Sequence, residues 1–172
     1  MAKLRIDQAP DAGLPLRFLL SMPCWGVAAG VLLLIGGDAA LHSRWHPTTV
    51  ALVHIYVLGV LGNAMFGALL QFPPAVAGVR LRGSGGAPWL HALFNCAVML
   101  LVVGLYANAQ WPLLVAAMLL PVSFLWLAAM LLPGLVTSAG ERLLRVGIST
   151  AISFGVVTAI AGGALAWALA MR

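Results

Sequence analysis

Long, almost unbroken apolar runs alternate with short polar separators along this chain. Five runs reach the length of a membrane span, at about 17–37, 50–72, 89–107, 111–132 and 144–169. Crossing roughly 30 Å of hydrocarbon takes about 20 residues at 1.5 Å each. The separators are Gly36-Gly37-Asp38 through Pro47, Pro73-Pro74 through Pro88, Asn108 through Pro112, and Pro133-Gly134 through Arg145. Proline and glycine at such places stop helices. The pattern predicts an all-α integral membrane bundle of five transmembrane helices, one domain over residues 1–172.

Finer spacing predicts faces. Gly147, Ala151, Gly155, Ala159 and Gly163 recur every fourth residue along the fifth helix. Such a ribbon of small residues lets backbones approach where lipid supplies no hydrophobic drive. Gly26 and Gly30 make a shorter version in the first helix. On the second helix, at 100° per residue, His54, Leu58, Leu61, Met65 and Phe72 share one apolar face, and Gly59, Asn63 and Gly67 form a stripe roughly opposite. That helix is expected at the centre, with its small-residue side against a neighbour.

Composition sharpens the picture. Apolar residues make up 63% of the chain and charged residues 8%, against about 25% charged in a soluble domain. A soluble fold of this length has no core that could hide so much apolar surface. The net charge of +5 does not point to nucleic acid, because the basic residues flank apolar runs instead of forming one patch. With the N-terminus in the cytoplasm, Lys3, Arg5, Arg17, Arg80, Arg82, Arg142 and Arg145 lie inside, and only Arg44 and Arg172 lie outside. This bias predicts the orientation in a bacterial inner membrane. Trp45, Trp111 and Trp167 then mark the outer interface and Trp89 the inner one. Asp7, Pro10, Asp11 and Pro15 precede the first apolar run, which is too long for a signal-peptide core, so the first helix is expected to stay. Cys24 and Cys96 read as two small buried hydrophobes.

The interiors of the runs carry no Asp, Glu, Lys or Arg. This argues against a proton- or ion-coupled transporter, which buries ionisable groups along its path, and against hydrolysis, which needs an acid–base pair or an activated nucleophile. Histidine remains. His42 and His46 lie in the outer loop, His91 near the inner start of the third helix, and His54 inside the second helix among Val53, Ile55, Val57 and Leu58. An imidazole in hydrocarbon needs a hydrogen bond or a metal, and neutral imidazole is a common axial ligand of haem iron. Asp38, His42 and His46 are spaced four apart, so a continuing helix would present two imidazoles and a carboxylate to a zinc or copper ion. Asn63 and Asn95 read as interhelical hydrogen bonds.

The segment His54-Ile-Tyr-Val-Leu-Gly59 with Gly67-Ala68, Gln71, Pro73 and Gly78, preceded by Pro15-Leu16-Arg17-Phe18 and by Trp45-His46-Pro47, resembles the second-helix region of proteins related to haem–copper oxidase subunit I, including the NnrS-like haem and copper membrane proteins. The resemblance covers roughly residues 15–110. It implies that His54 ligates a low-spin haem b toward the outer side. The family's other ligands lie beyond the five helices present, and the histidines of an oxygen-reducing copper site are missing, so terminal oxidase activity is not expected.

His91 and His54 differ in depth by about 15–20 Å on the helical rise, too far to share one iron. A homodimer giving His54 from each chain is therefore the first arrangement, His54 with Met118 of the fourth helix the second, and a five-coordinate haem with an open gas site the third. The expected function is electron transfer or the handling or sensing of a diatomic gas. Two alternatives stand beside it. One is a non-enzymatic membrane protein for oxidase assembly or copper handling, with a redox or oxidase-assembly partner. The other is a structural subunit without haem.

Overall fold

A computed structural model of the chain describes residues 11–38, 42–138 and 140–172. Among these residues the fold is all helical. The five long helices are α1 (Gly13–Gly36), α2 (Pro47–Ala77), α3 (Ala87–Ala107), α4 (Gln110–Thr137) and α5 (Arg142–Ala170). Each is long and apolar enough to cross a membrane, and the chain is a multi-pass membrane protein. A 3₁₀ turn, Ser84–Gly86, leads into α3.

Successive helices pack side by side in chain order. α1 lies on α2, α2 on α3, α3 on α4, and α4 on α5, with the first and last of these pairings the most extensive. α1 and α5 are the peripheral members and bury least of themselves. The surface inverts the soluble rule: Leu34, Val136, Leu143 and Leu165 are more than 70% exposed, because here lipid is the solvent. With the chain crossing five times, Arg17, Arg80, Arg82, Arg142 and Arg145 gather at one end, the basic end, and Arg44 and Arg172 at the other.

The centre is aromatic. Phe66 of α2 stacks on Phe94 of α3 at 4.3 Å between centroids, meets Phe124 of α4 edge-on at 5.1 Å, and touches Phe18 of α1 at 5.6 Å. Phe18, Phe66 and Phe94 are fully buried. Offset and edge-on rings fill such a space better than alkyl chains of like volume, since the ring quadrupoles attract. One ring from each of four helices thus ties the middle of the bundle.

Close approach uses glycine at defined points. A Cβ on Gly163 of α5 would come within 2.6 Å of the Ala117 carbonyl oxygen of α4, and one on Gly104 of α3 within 2.7 Å of Leu113. The ribbon read along α5 is therefore a packing face in its later part, with Gly155 against Phe124 and Ala159 half-buried. Gly147 has no neighbour within 4 Å and Ala151 is exposed. Gly26 and Gly30 also meet nothing within 4 Å; α1 packs instead through Phe18, Trp25 and Ala29. The reason is a face offset by one residue from the glycines.

Several helix ends fall beyond the prolines expected to stop them. α2 runs through Pro73-Pro74 and ends where Gly78 adopts a left-handed φ of 63°, its N–H on the Pro74 carbonyl and that of Val79 on the Pro73 carbonyl. α4 likewise passes Pro133 and ends at Thr137. A proline removes one N–H, and a membrane helix tolerates that loss where neighbours re-satisfy the freed carbonyl. Cys24 and Cys96 are exposed on the bundle surface and not buried within it.

Candidate functional site

His54 closes a short α-helical stretch, Pro47–His54, that opens α2. Its start is well capped: Pro47 sits in the first turn, and His46 Nδ1 accepts from the Thr48 N–H at 3.3 Å. Within this stretch His54 Nδ1 lies 2.7 Å from the Val50 carbonyl oxygen. A carbonyl only accepts, so Nδ1 carries the proton and Nε2 holds the lone pair. No described residue is hydrogen-bonded to Nε2. The ring is half-buried, with exposed Val53, Tyr56 and Val57 beside it in the sequence.

Directly after His54 the helix widens. Ile55–Gly62 is a π-helix, after which α-helix resumes at Asn63. Such wide turns are rare and recur at functional sites. The cause is legible at the junction. Asn63 directs its backbone N–H to the Val60 carbonyl, while its side-chain amide donates to the Gly59 carbonyl at 2.7 Å. Gly59 and Gly62 allow neighbours to press in: a Cβ on Gly59 would lie 2.7 Å from the Trp25 ring, and one on Gly62 2.8 Å from Phe94. The stripe Gly59, Asn63, Gly67 therefore does face neighbouring helices, with Gly67 against Pro15 and Leu19.

Behind the stripe lies a closed polar network. Asn63 and Asn95 pair their amides reciprocally at 3.0 and 3.1 Å. Asn95 also donates to the His91 carbonyl at 2.9 Å and accepts from Trp25 Nε1 at 2.7 Å. Every donor and acceptor of these two amides is engaged, and α1, α2 and α3 are joined. One turn away, Ser21 Oγ donates to the Arg17 carbonyl at 3.0 Å. It has one hydrogen, so the 2.8 Å contact with His91 Nε2 is an N–H donated by His91 to Ser21. Phe18 meets the His91 ring edge-on at 4.9 Å. His91 is a satisfied structural residue. The asparagines were readable as interhelical bonds; Trp25 and Ser21 were not singled out, and their only signal is a spacing that places both on the α3 side of α1.

The remaining candidates do not gather around His54. Leu58 is half-buried beside it, Leu61 is 62% exposed, and Met65 is 40% exposed and turned toward α4 and α5. Met118 is 57% exposed on α4, a helix that packs on α3, α5 and the Asn63–Ala77 part of α2. α1 ends at Gly36, so Asp38, His42 and His46 do not continue one helix. Asp38 and His42 are exposed, and residues 39–41 lie outside the described residues. Among the described residues no three of His, Cys, Asp and Glu converge on a possible metal site.

Can these residues hold a haem? The donor set fits: a neutral imidazole, its Nδ1–H fixed by a carbonyl and its Nε2 lone pair open, is how a metal-bound histidine is oriented. The surroundings are apolar, as a porphyrin face requires. One chain alone gives an open surface there and not an enclosure. One groove among the described residues, about 80 Å³, is lined by Met65, Phe124 and Ile152 among others and lies away from His54; cofactor pockets are typically about 300–1,000 Å³. A porphyrin on His54 would need a second wall beyond the open surface that the described residues offer there.

No protein-family model, no characterised protein and no solved structure matches this chain.

Proposed function

We propose that this protein is a b-type haem protein of a bacterial inner membrane, N-terminus in the cytoplasm, in which two copies share a haem between their His54 imidazoles. The observation that carries the reading is the 2.7 Å bond from His54 Nδ1 to the Val50 carbonyl, which fixes the tautomer and leaves Nε2 as a lone-pair donor at an apolar surface. Leu58, beside the ring, and the exposed Leu61 would line the porphyrin faces; Met65, turned toward α4 and α5, would not. A two-fold axis supplies the second ligand without any new residue type, because an isologous interface presents the same patch twice. Bound there, haem would supply a one-electron iron couple and a site for a diatomic gas. This chain's own part is to hold the imidazole neutral and oriented, and to exclude water from the iron.

The test is a visible spectrum of the detergent-purified protein, expressed with haem available. The reading expects a Soret band with reduced α and β bands, lost in His54→Ala. A colourless protein, or a spectrum indifferent to His54→Ala, overturns it.

A second reading has one observation in its favour. Ser21, Trp25, Asn63, His91 and Asn95 of α1–α3 serve helix–helix or local backbone bonds, as in a structural subunit or a non-enzymatic assembly partner of an oxidase. It expects co-purifying subunits and no chromophore.

A further inference from the structure

A groove runs between α2 and α5, over α4. Met65 and Leu69 form one wall, Ile152 and Gly155 the other, and Phe124 and Leu127 the floor. Its lining is apolar throughout. α4 is its continuous base, and following that base toward the basic end leads to Leu131 and Leu135, both buried. There the loop after α2 and the start of α5, both arginine-bearing, meet the end of α4. Arg145 Nη1 reaches the Leu135 and Val136 carbonyls at 3.5 and 3.2 Å, capping α4. The loop after α2 lies against the same helix end: Val79 is buried, the Arg80 carbonyl abuts Gly134, and the Arg82 N–H bonds the Met130 carbonyl at 3.0 Å. Arg80, Arg82 and Arg142 are themselves exposed. The two connecting segments, 78–86 and 138–141, carry a single acid, Glu141.

Arg145 and Ile152 are seven residues apart on α5, hence nearly on one face and about 10 Å apart along the axis. The basic cluster therefore stands one headgroup's distance beyond the mouth of an alkyl-lined groove. Basic pockets between transmembrane helices recognise anionic lipid headgroups. We propose that the α2–α5 groove is a specific site for an anionic phospholipid, one acyl chain lying along Phe124, Leu127 and Ile152 and its phosphate held by Arg80, Arg142 and Arg145. The site does not involve His54, and the inference stands whether or not haem binds.

Native mass spectrometry of the full chain, exchanged into defined mixtures of phosphatidylglycerol and phosphatidylethanolamine, tests this. The wild type retains phosphatidylglycerol in preference. Each arginine contributes about fivefold to an anionic headgroup, so Arg80→Gln with Arg142→Gln, both exposed and outside the α4 cap, lowers the preference by about 25-fold. Ala151→Phe, at the exposed lip of the groove, lowers retention of both lipids without altering their ratio. Equal retention of the two lipids by the wild type, a preference unchanged in the double glutamine variant, or retention unchanged in Ala151→Phe overturns the proposal.

Discussion

The indole of Trp25 lies against the backbone of Gly59, so near that a Cβ there would come within 2.7 Å of two ring carbons. The same indole donates its N–H to Asn95 at 2.7 Å. It is held from two sides and cannot slide away from an added methyl. Gly59→Ala is therefore expected to destabilise the protein by about 1–3 kcal/mol, the usual cost of forcing an atom into a packed site. Gly26→Ala, with nothing within 4 Å, serves as the control and stays within about 0.5 kcal/mol. Thermal unfolding in detergent compares them; equal melting of the two variants contradicts the packing described.

The amide pair gives a prediction about coupling. Asn95→Leu removes four hydrogen bonds at once and leaves Trp25 Nε1 and Asn63 Oδ1 without partners, the Asn63 amide nitrogen keeping only the Gly59 carbonyl, at a cost of about 1–3 kcal/mol. Asn63→Leu does much the same from the other side. The double substitution costs clearly less than the sum, because residues within one network couple by about 0.5–3 kcal/mol. Strict additivity in a double-mutant cycle argues that the amides act independently.

The two membrane histidines are expected to separate cleanly. His91→Ala removes the N–H that Ser21 accepts and empties the space beside Phe18, so it lowers thermal stability and leaves any haem spectrum in place. His54→Ala does the reverse, since the hydrogen bond of its ring is to Val50 within its own helix turn. Visible spectra and melting curves recorded on the same samples check this. Loss of the chromophore in both variants would mean that His91 is part of the cofactor site or that the spectrum merely follows folding.

Orientation is open to reporter fusions. Alkaline phosphatase joined after Trp45 or after Asn108 is expected to be active, and joined after Arg82 or after Gly140 inactive. The inverted pattern places the arginine-rich end outside, against the positive-inside rule.

The five spans were legible because lipid imposes a length and an apolar content that few other structures share. Helix ends were less so. Pro73-Pro74 and Pro133 look like stops, yet α2 and α4 continue past them to their ends before Gly78 and Ser138, because a membrane helix tolerates the missing N–H where neighbours re-satisfy the freed carbonyl. The wide turn at Ile55–Gly62 was invisible to a wheel of 100° per residue: its residues are apolar on every side, and only the run Gly59, Gly62, Asn63 hints at it. That turn also shifts the angular relation of His54 to Met65, so the wall drawn as a single stripe is broken between Leu58 and Met65. Asn63 and Asn95 could be recognised as buried polar groups in search of partners. Trp25 and Ser21 could not be assigned to them without knowing which face of α1 meets α3. The exposure of Cys24 and Cys96 follows from the same gap, since an apolar side chain in a membrane helix is as content in lipid as in protein.

Every partner in the amide network lies between Trp25 and Asn95. A nascent chain therefore owns the complete set as soon as its third span has left the translocation machinery, before α4 has been synthesised. The last two helices dock onto a scaffold that is already tied together, and the core they add is mainly rings and alkyl groups. Truncation after Ala107 should leave a trihelical intermediate with its amides paired, whereas loss of the first span strips the scaffold of its tryptophan and leaves later helices nothing ordered to join.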